Sequence, residues 1–190
     1  MSVYRSRSRA PAASRAKVLA AVHDLLDAGA FHASTVEDVA ARAGVSRATV
    51  YQQFGSRLGL VDALCETFDA SPALLALRAS IDEGEPLDAL DAFVGHAADF
   101  WAAEERVLLQ LYGVAAIDPA AEALVTRQRG DRRAELERLL RRLRPKDAKR
   151  ALALLLVVTS FETYEELRRH AGLPHRDVVR TLRQLAHAAV

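Results

Sequence analysis

Between Thr35 and Leu60 the chain reads TVEDVAARAGVSRATVYQQFGSRLGL, and no other stretch restricts the possible folds as much. Val36, Val39, Ala40 and Ala43 recur at intervals of three and four, which gathers them on one face of a helix and leaves Glu37, Asp38 and Arg42 pointing away. Gly44 follows directly, and glycine tolerates the left-handed backbone that ends one helix and redirects the chain within a few residues. Val45 then fills the angle between two helices. Ser46 suits the cap of the second, because its hydroxyl accepts from a first-turn backbone N–H that would otherwise lack a partner. The spacing predicts a second helix from Arg47, with Val50 and Phe54 turned inward.

Left on the outside of that second helix are Arg47, Ala48, Thr49, Tyr51, Gln52 and Gln53. Each type suits a duplex. Arginine donates bidentately to guanine, glutamine pairs with adenine and an alanine methyl touches thymine, a good bidentate pair being worth roughly 1–3 kcal/mol of base discrimination. Thr49 and Tyr51 carry hydroxyls suited to phosphate oxygens, which fix register without reading sequence, and Arg57 offers charge just beyond. Some helical hairpins with a central glycine only pack, and a short motif alone carries a false-positive risk. Here order, spacing and surface chemistry coincide, which favours a helix-turn-helix that presents its second helix to DNA.

With the helix before it, this stretch resembles the TetR family of transcriptional regulators. Thr35, the VAARAGVS run from Val39 to Ser46, Thr49, Val50, Tyr51, Phe54, Ser56, Arg57 and Leu60 carry the resemblance. It covers about the first third of the chain. The family implies an all-helical homodimer whose N-terminal domains grip a palindromic operator in double-stranded DNA and whose C-terminal domains bind an inducer. By position, Thr35, Thr49, Tyr51 and Arg57 would hold phosphates, and Ser46, Arg47, Ala48, Gln52 and Gln53 would meet bases or their flanking backbone. Two departures stand out: Arg57 replaces the usual lysine, and Leu58-Gly59 replaces an acidic or polar residue, which bears on how the fourth helix begins.

Length and charge fit this expectation. At 190 residues, half of them hydrophobic, the chain can hold a small domain and a larger one. Residues 1–57 contain eight Lys or Arg against four acids, a net of +4, while the remainder is −3. A basic front and a mildly acidic back suit a protein that meets phosphate only at its front. The expected divisions are a flexible basic arm at 1–11, a DNA-binding domain at 12–57 and a ligand-binding and dimerisation domain at 58–190. The arm has no apolar run and is not a secretory signal. The longest apolar run, Ala151 to Val158, is far shorter than the ~18 residues of a membrane span, so a cytoplasmic protein without membrane contact is expected. Cys65 stands alone and reads as a small buried hydrophobe.

Every remaining segment has helical periodicity, about nine helices in all. A first helix from Ala12 to Ala28 buries Val18, Val22, Leu25 and Leu26 and stops at Gly29; a fourth begins near Ser56 and carries Leu60, Val61, Leu64 and Phe68 until Pro72 interrupts. Farther on, Phe93, His96, Phe100 and Trp101 cluster on one helix, Tyr112 ends the next, and Phe161 and Tyr164 lie on a later one. Aromatic groups with sparse polar partners suit a mostly apolar ligand cavity, although the same spacing also describes plain core. Trp101, Tyr112, Phe161 and His96 lead as ligand contacts. The run RQRGDRRAELERLLRRLR is basic, yet Leu124, Leu136, Leu139, Leu140 and Leu143 give it an apolar stripe, and intrahelical ion pairs on a solvated face account for its charges.

Ala151 to Val158 reads ALALLLVV, apolar all round, so one face needs a cover beyond its own domain. With the last helix, Pro174 to Val190, it predicts a four-helix dimer interface through Leu152, Leu155, Leu156, Thr159, Val178, Leu182 and Leu185. Closure of a monomer core is the alternative. Six scattered histidines lack metal-site spacing, and no GxSxG, P-loop or dinucleotide fingerprint occurs, so neither enzyme chemistry, metal nor cofactor is expected. The other reading of the whole chain is a helical small-molecule binding protein or scaffold without DNA function.

Overall fold

The computed structural model describes residues 9–190, and every regular element among them is helical. In chain order these are α1 (Arg9–Asp27), α2 (Val36–Ala43), α3 (Arg47–Phe54), α4 (Arg57–Asp69), α5 (Pro72–Ser80), α6 (Pro86–Ala103), α7 (Glu105–Ala115), α8 (Pro119–Leu143), α9 (Ala148–Val158), α10 (Phe161–Glu165) and α11 (His175–Ala189). A 3-10 turn, Phe31–Ala33, joins α1 to α2, and α10 runs into a π turn at Glu166–His170. There are more breaks than Gly and Pro alone signal. Thr159 ends α9 while the Ser160 side chain accepts from the Thr163 N–H at 3.1 Å to start α10, so two adjacent hydroxyl residues split one apolar run. Among the described residues no helix is long and apolar enough to cross a membrane.

Most of the expected basic arm, residues 1–8, lies outside the described residues. Its last three residues belong to α1, which begins at Arg9 rather than Ala12. Pro11 is compatible with that start, because first-turn N–H groups have no intrahelical acceptor to lose. The fourth helix begins at Arg57, with Ser56 as its cap: the Gly59 N–H donates to Ser56 Oγ at 3.0 Å.

The chain divides into two units. One holds the residues up to Phe68 together with Arg106–Leu124, the other Asp69–Glu105 together with Val125–Val190. In the first, Val18, Val22 and Leu26 of α1, Val39 and Ala40 of α2, Val50 and Phe54 of α3, and Leu60, Leu64 and Phe68 of α4 are buried, each large side chain contributing about 1.5–3 kcal/mol when fully covered. Cys65 is buried among them. Arg15 bonds Glu66 at 3.2 Å and sits 4.9 Å over the Phe54 ring, joining α1 to α4 and to the end of α3.

The second unit is built on Leu90, Phe93 and Ala97 of α6, Leu136 and Leu139 of α8, Leu152 and Leu155 of α9, Tyr164, and Val178 and Leu182 of α11. The arginines of α8 do more than the solvated face expected of them. Arg142 donates to the backbone carbonyls of Ile81, Glu83 and Gly84, Arg132 to those of Thr159 and Leu156, and Arg138 to Asp82. Arg78 of α5 bonds Glu135 of α8 at 2.7 Å. Carbonyls near helix ends lack intrahelical partners, and planar guanidinium forks reach several at once. The intrahelical pairing expected here is seen at Arg133–Glu137, 2.9 Å.

The expected dimer residues lie mostly inside the chain's own second unit. Leu152, Leu155, Thr159, Val178 and Leu182 are all buried in the chain's own second unit, and Leu156 is half-buried. What this unit leaves bare on α9 and α11 is Leu154 (39 % exposed), Val157 (61 %) and Leu185 (46 %); of the expected set only Leu185 is among them.

Candidate nucleic-acid interface

The pair of helices α2 and α3 is assembled by caps. Thr35 Oγ1 accepts from the Asp38 N–H at 3.2 Å, and the Asp38 carboxylate accepts in return from the Thr35 N–H and hydroxyl, both at 2.8 Å. This reciprocal box satisfies two orphan donors at the start of α2. It also holds the Asp38 carboxyl below its ordinary value, the backbone bond from Thr35 counting most and its hydroxyl next. At the other end Gly44 takes φ 66°, ψ 37°, its N–H donating to the Ala41 carbonyl at 3.1 Å and that of Val45 to Ala40 at 3.0 Å. These two bonds close α2 and turn the chain. Ser46 then caps α3 by accepting from the Thr49 N–H at 3.1 Å.

Val50 and Phe54 anchor α3 inward, and Arg47, Ala48, Tyr51 and Gln52 are exposed. Thr49 and Gln53 are half-buried. The Ser46 and Thr49 hydroxyls share a bond of 2.8 Å, while Gln53 Oε1 is buried without a hydrogen-bond partner, an acceptor that folding alone leaves unsatisfied. The exposed strip therefore carries a guanidinium, a methyl, a phenol and a carboxamide within six residues of one helix.

Two contacts here have no local sequence signature. Arg47 Nη1 lies 2.6 Å from Glu37 Oε1 of α2, and its guanidinium carbon is 5.2 Å from the centre of the Tyr51 ring. Tyr51 first and Glu37 second push Arg47 further toward its charged form. Glu37 was thus missed as a member of the surface; its signal is an acid on the outer face of α2 ten positions before an arginine at the start of α3. Arg57 donates to the Phe31 carbonyl and stacks 4.5 Å over the Phe31 ring, so the side chain expected to serve phosphate also ties α4 to the 3-10 turn. Gly59, the departure noted at the start of α4, answers to a close approach: a Cβ there would stand 1.9 Å from the Phe54 carbonyl oxygen.

Of the expected ligand contacts, the second unit brings three together. Trp101 packs against Phe100 at 5.1 Å and edge-on against Phe161 at 5.8 Å, and its Nε1 donates to the Thr159 carbonyl at 3.3 Å. Phe93, Phe100, Phe161 and Tyr164 are buried in the core, whereas Trp101 and His96 are half-buried. The Tyr164 hydroxyl and His175 Nδ1 share a hydrogen bond of 3.3 Å, and His175 Nε2 meets Asp99 at 2.9 Å. Burial, aided by the charge of Glu105, raises the Tyr164 hydroxyl above its ordinary value. Tyr112 belongs to the other unit, in α7. An open groove of the second unit lies elsewhere, lined by Asp91, Arg176, Arg180, Arg183 and His187.

Residues 18–64 match the family described as bacterial regulatory proteins, tetR family. The HTH-type transcriptional regulator AlkX of Mycobacterium tuberculosis is 35 % identical over 112 residues, 59 % of this chain and 47 % of that protein, so the chain matches about half the length of this curated relative. Among solved structures, a transcriptional regulator from Rhodococcus superposes with a TM-score of 0.74 at 20 % identity, covering 92 % of this chain and 95 % of its own. A TetR/AcrR-family regulator from Thermobifida fusca gives 0.71 at 19 % identity, covering 90 % and 95 %. At such identity the likeness speaks for the fold. The matched family and proteins are transcriptional regulators, not enzymes.

Proposed function

We propose that this chain, whose residues 18–64 match the tetR family, is a homodimeric transcriptional repressor that grips a palindromic operator and lets go when a small, mostly apolar effector binds. The observation that carries the reading is α3: capped at Ser46, anchored by Val50 and Phe54, and exposing Arg47, Ala48, Tyr51 and Gln52. In this reading Ser46, Arg47, Ala48, Gln52 and Gln53 meet bases or their flanks, and Thr35, Thr49, Tyr51 and Arg57 hold phosphates. A guanidinium has five N–H donors, so holding Phe31 leaves Arg57 others for a phosphate.

Pairing of two subunits is supported by the bare apolar side chains Leu154, Val157 and Leu185. Two heads are needed because successive major grooves on one side of a duplex lie about 34–36 Å apart. The effector would act on residues 58–190, with the half-buried Trp101 beside Phe100 and Phe161 as the favoured contact. Repression then ends because the effector binds better to a form whose heads no longer fit both half-sites; it can shift the equilibrium only by that difference in affinity.

Selection of bound fragments from random duplexes, followed by titration with wild type and an Arg47→Ala/Tyr51→Ala variant, tests the reading. A palindrome should emerge, with binding that weakens steeply as salt is added. The variant should lose the operator and keep its circular dichroism spectrum. Selection that returns no preferred sequence, or a variant that binds as wild type does, would leave the helical ligand-binding scaffold as the better account.

A further inference from the structure

We propose that Glu37 is a positioning residue for base reading: its carboxylate holds the Arg47 guanidinium against the Tyr51 ring, so that the fork meets a base edge already ordered. The inference rests on the DNA-reading function proposed above and adds a residue from α2 to it. Its ground is a three-membered arrangement, Glu37 Oε1 to Arg47 Nη1 at 2.6 Å and the guanidinium carbon 5.2 Å over Tyr51.

As a stabilising device the pair makes little sense. The side chains are 60 % and 50 % exposed, and ion pairs that wet contribute little to folding. As a device for recognition it has two effects of opposite sign. An arginine free in water has many rotamers, and immobilising such a side chain at an interface costs about 0.5–1.5 kcal/mol; Glu37 meets part of that cost before DNA arrives. The pair with Glu37 engages Nη1, and a guanidinium has five N–H donors, which leaves others for a bidentate contact. Against this, a carboxylate on the DNA-facing side repels phosphate everywhere along the duplex, with or without the right sequence. Glu37 therefore trades general affinity for discrimination. It is also the second residue of α2, where an acid favours the helix dipole, and a test must separate that purely structural role.

The test uses the full chain and two duplexes, the selected operator and a scrambled one of equal length. Glu37→Gln should bind the scrambled duplex more tightly than wild type does. Its ratio of operator to scrambled affinity should fall by about two- to tenfold, the range set by the ordering cost of one side chain. In an Arg47→Ala background the same substitution should leave the ratio unchanged, which a role in holding α2 together would not produce. Three results would overturn the proposal: an unaltered ratio in Glu37→Gln, whether both affinities stay or rise by the same factor; no tighter binding of that variant to the scrambled duplex; or an equal fall of the ratio with Arg47 already gone. A wild type that does not distinguish the two duplexes would remove the DNA-reading function and this inference with it, whereas the first three results leave that function standing.

Discussion

Replacing Gly59 by alanine should damage the reading head although alanine is the better helix former. The structure puts the added methyl 1.9 Å from the Phe54 carbonyl oxygen, more than 1 Å inside any tolerable contact, and the atom struck is backbone. That oxygen accepts from the Ser56 N–H at 2.8 Å, so retreat of Phe54 would disturb the turn that caps α4 and the end of α3 together. Overpacking of this kind costs about 1–3 kcal/mol, toward the upper end where backbone must move. The gain in helix propensity returns up to about 1 kcal/mol, leaving a net loss of about 2. Gly130 in α8 supplies the opposite case, because a Cβ there meets nothing within 4 Å, and Gly130→Ala should stabilise by roughly 0.5–1 kcal/mol. At about 2–4 °C per kcal/mol for a chain of this size, the two variants should melt some 5–12 °C apart by circular dichroism. Only Gly59→Ala should also weaken operator binding. A Gly59→Ala protein that melts with or above wild type would refute the close approach between α3 and α4.

Tyr164 should make the protein sensitive to alkali. Burial raises its hydroxyl above 10, so the unfolded chain gives up this proton first; the contribution is whole below pH 10 and is lost as pH rises beyond it. Urea midpoints at pH 8 and pH 10.5 should differ less in Tyr164→Phe than in wild type, and an identical decline would contradict the assignment. For subunit pairing, Leu154→Glu with Val157→Glu should give monomers in sedimentation without loss of helix content, because both side chains are already wet in the single chain. A dimer that persists in this variant would locate the interface elsewhere.

The pair of helices α2 and α3 was legible because its turn is local. Gly44 at φ 66° and Ser46 with Thr49 each act within a few residues, and capping chemistry is written in the residue types themselves; the Thr35–Asp38 box, equally local, was not read. Contacts made over longer stretches of chain were not. Arg57 finds Phe31 26 positions earlier, and Arg142 finds Ile81 61 positions earlier; both looked like free surface charge because an arginine's sequence neighbourhood says nothing about which distant carbonyls lack donors. The outward face of α9 was illegible for a different reason. In ALALLLVV every direction is apolar, so periodicity cannot say that Leu152 and Leu155 turn in while Leu154 and Val157 turn out.

The Thr159 carbonyl that accepts from both Trp101 Nε1 and Arg132 gives the second unit a spectroscopic handle. Trp101 is the sole tryptophan of the chain, so emission excited near 295 nm comes from one indole, wedged where α6 meets the break between α9 and α10. Fluorescence can follow that junction alone, unlabelled, while a dye on a duplex reports DNA binding, and recording both in one cuvette tells whether the second unit responds when the duplex does.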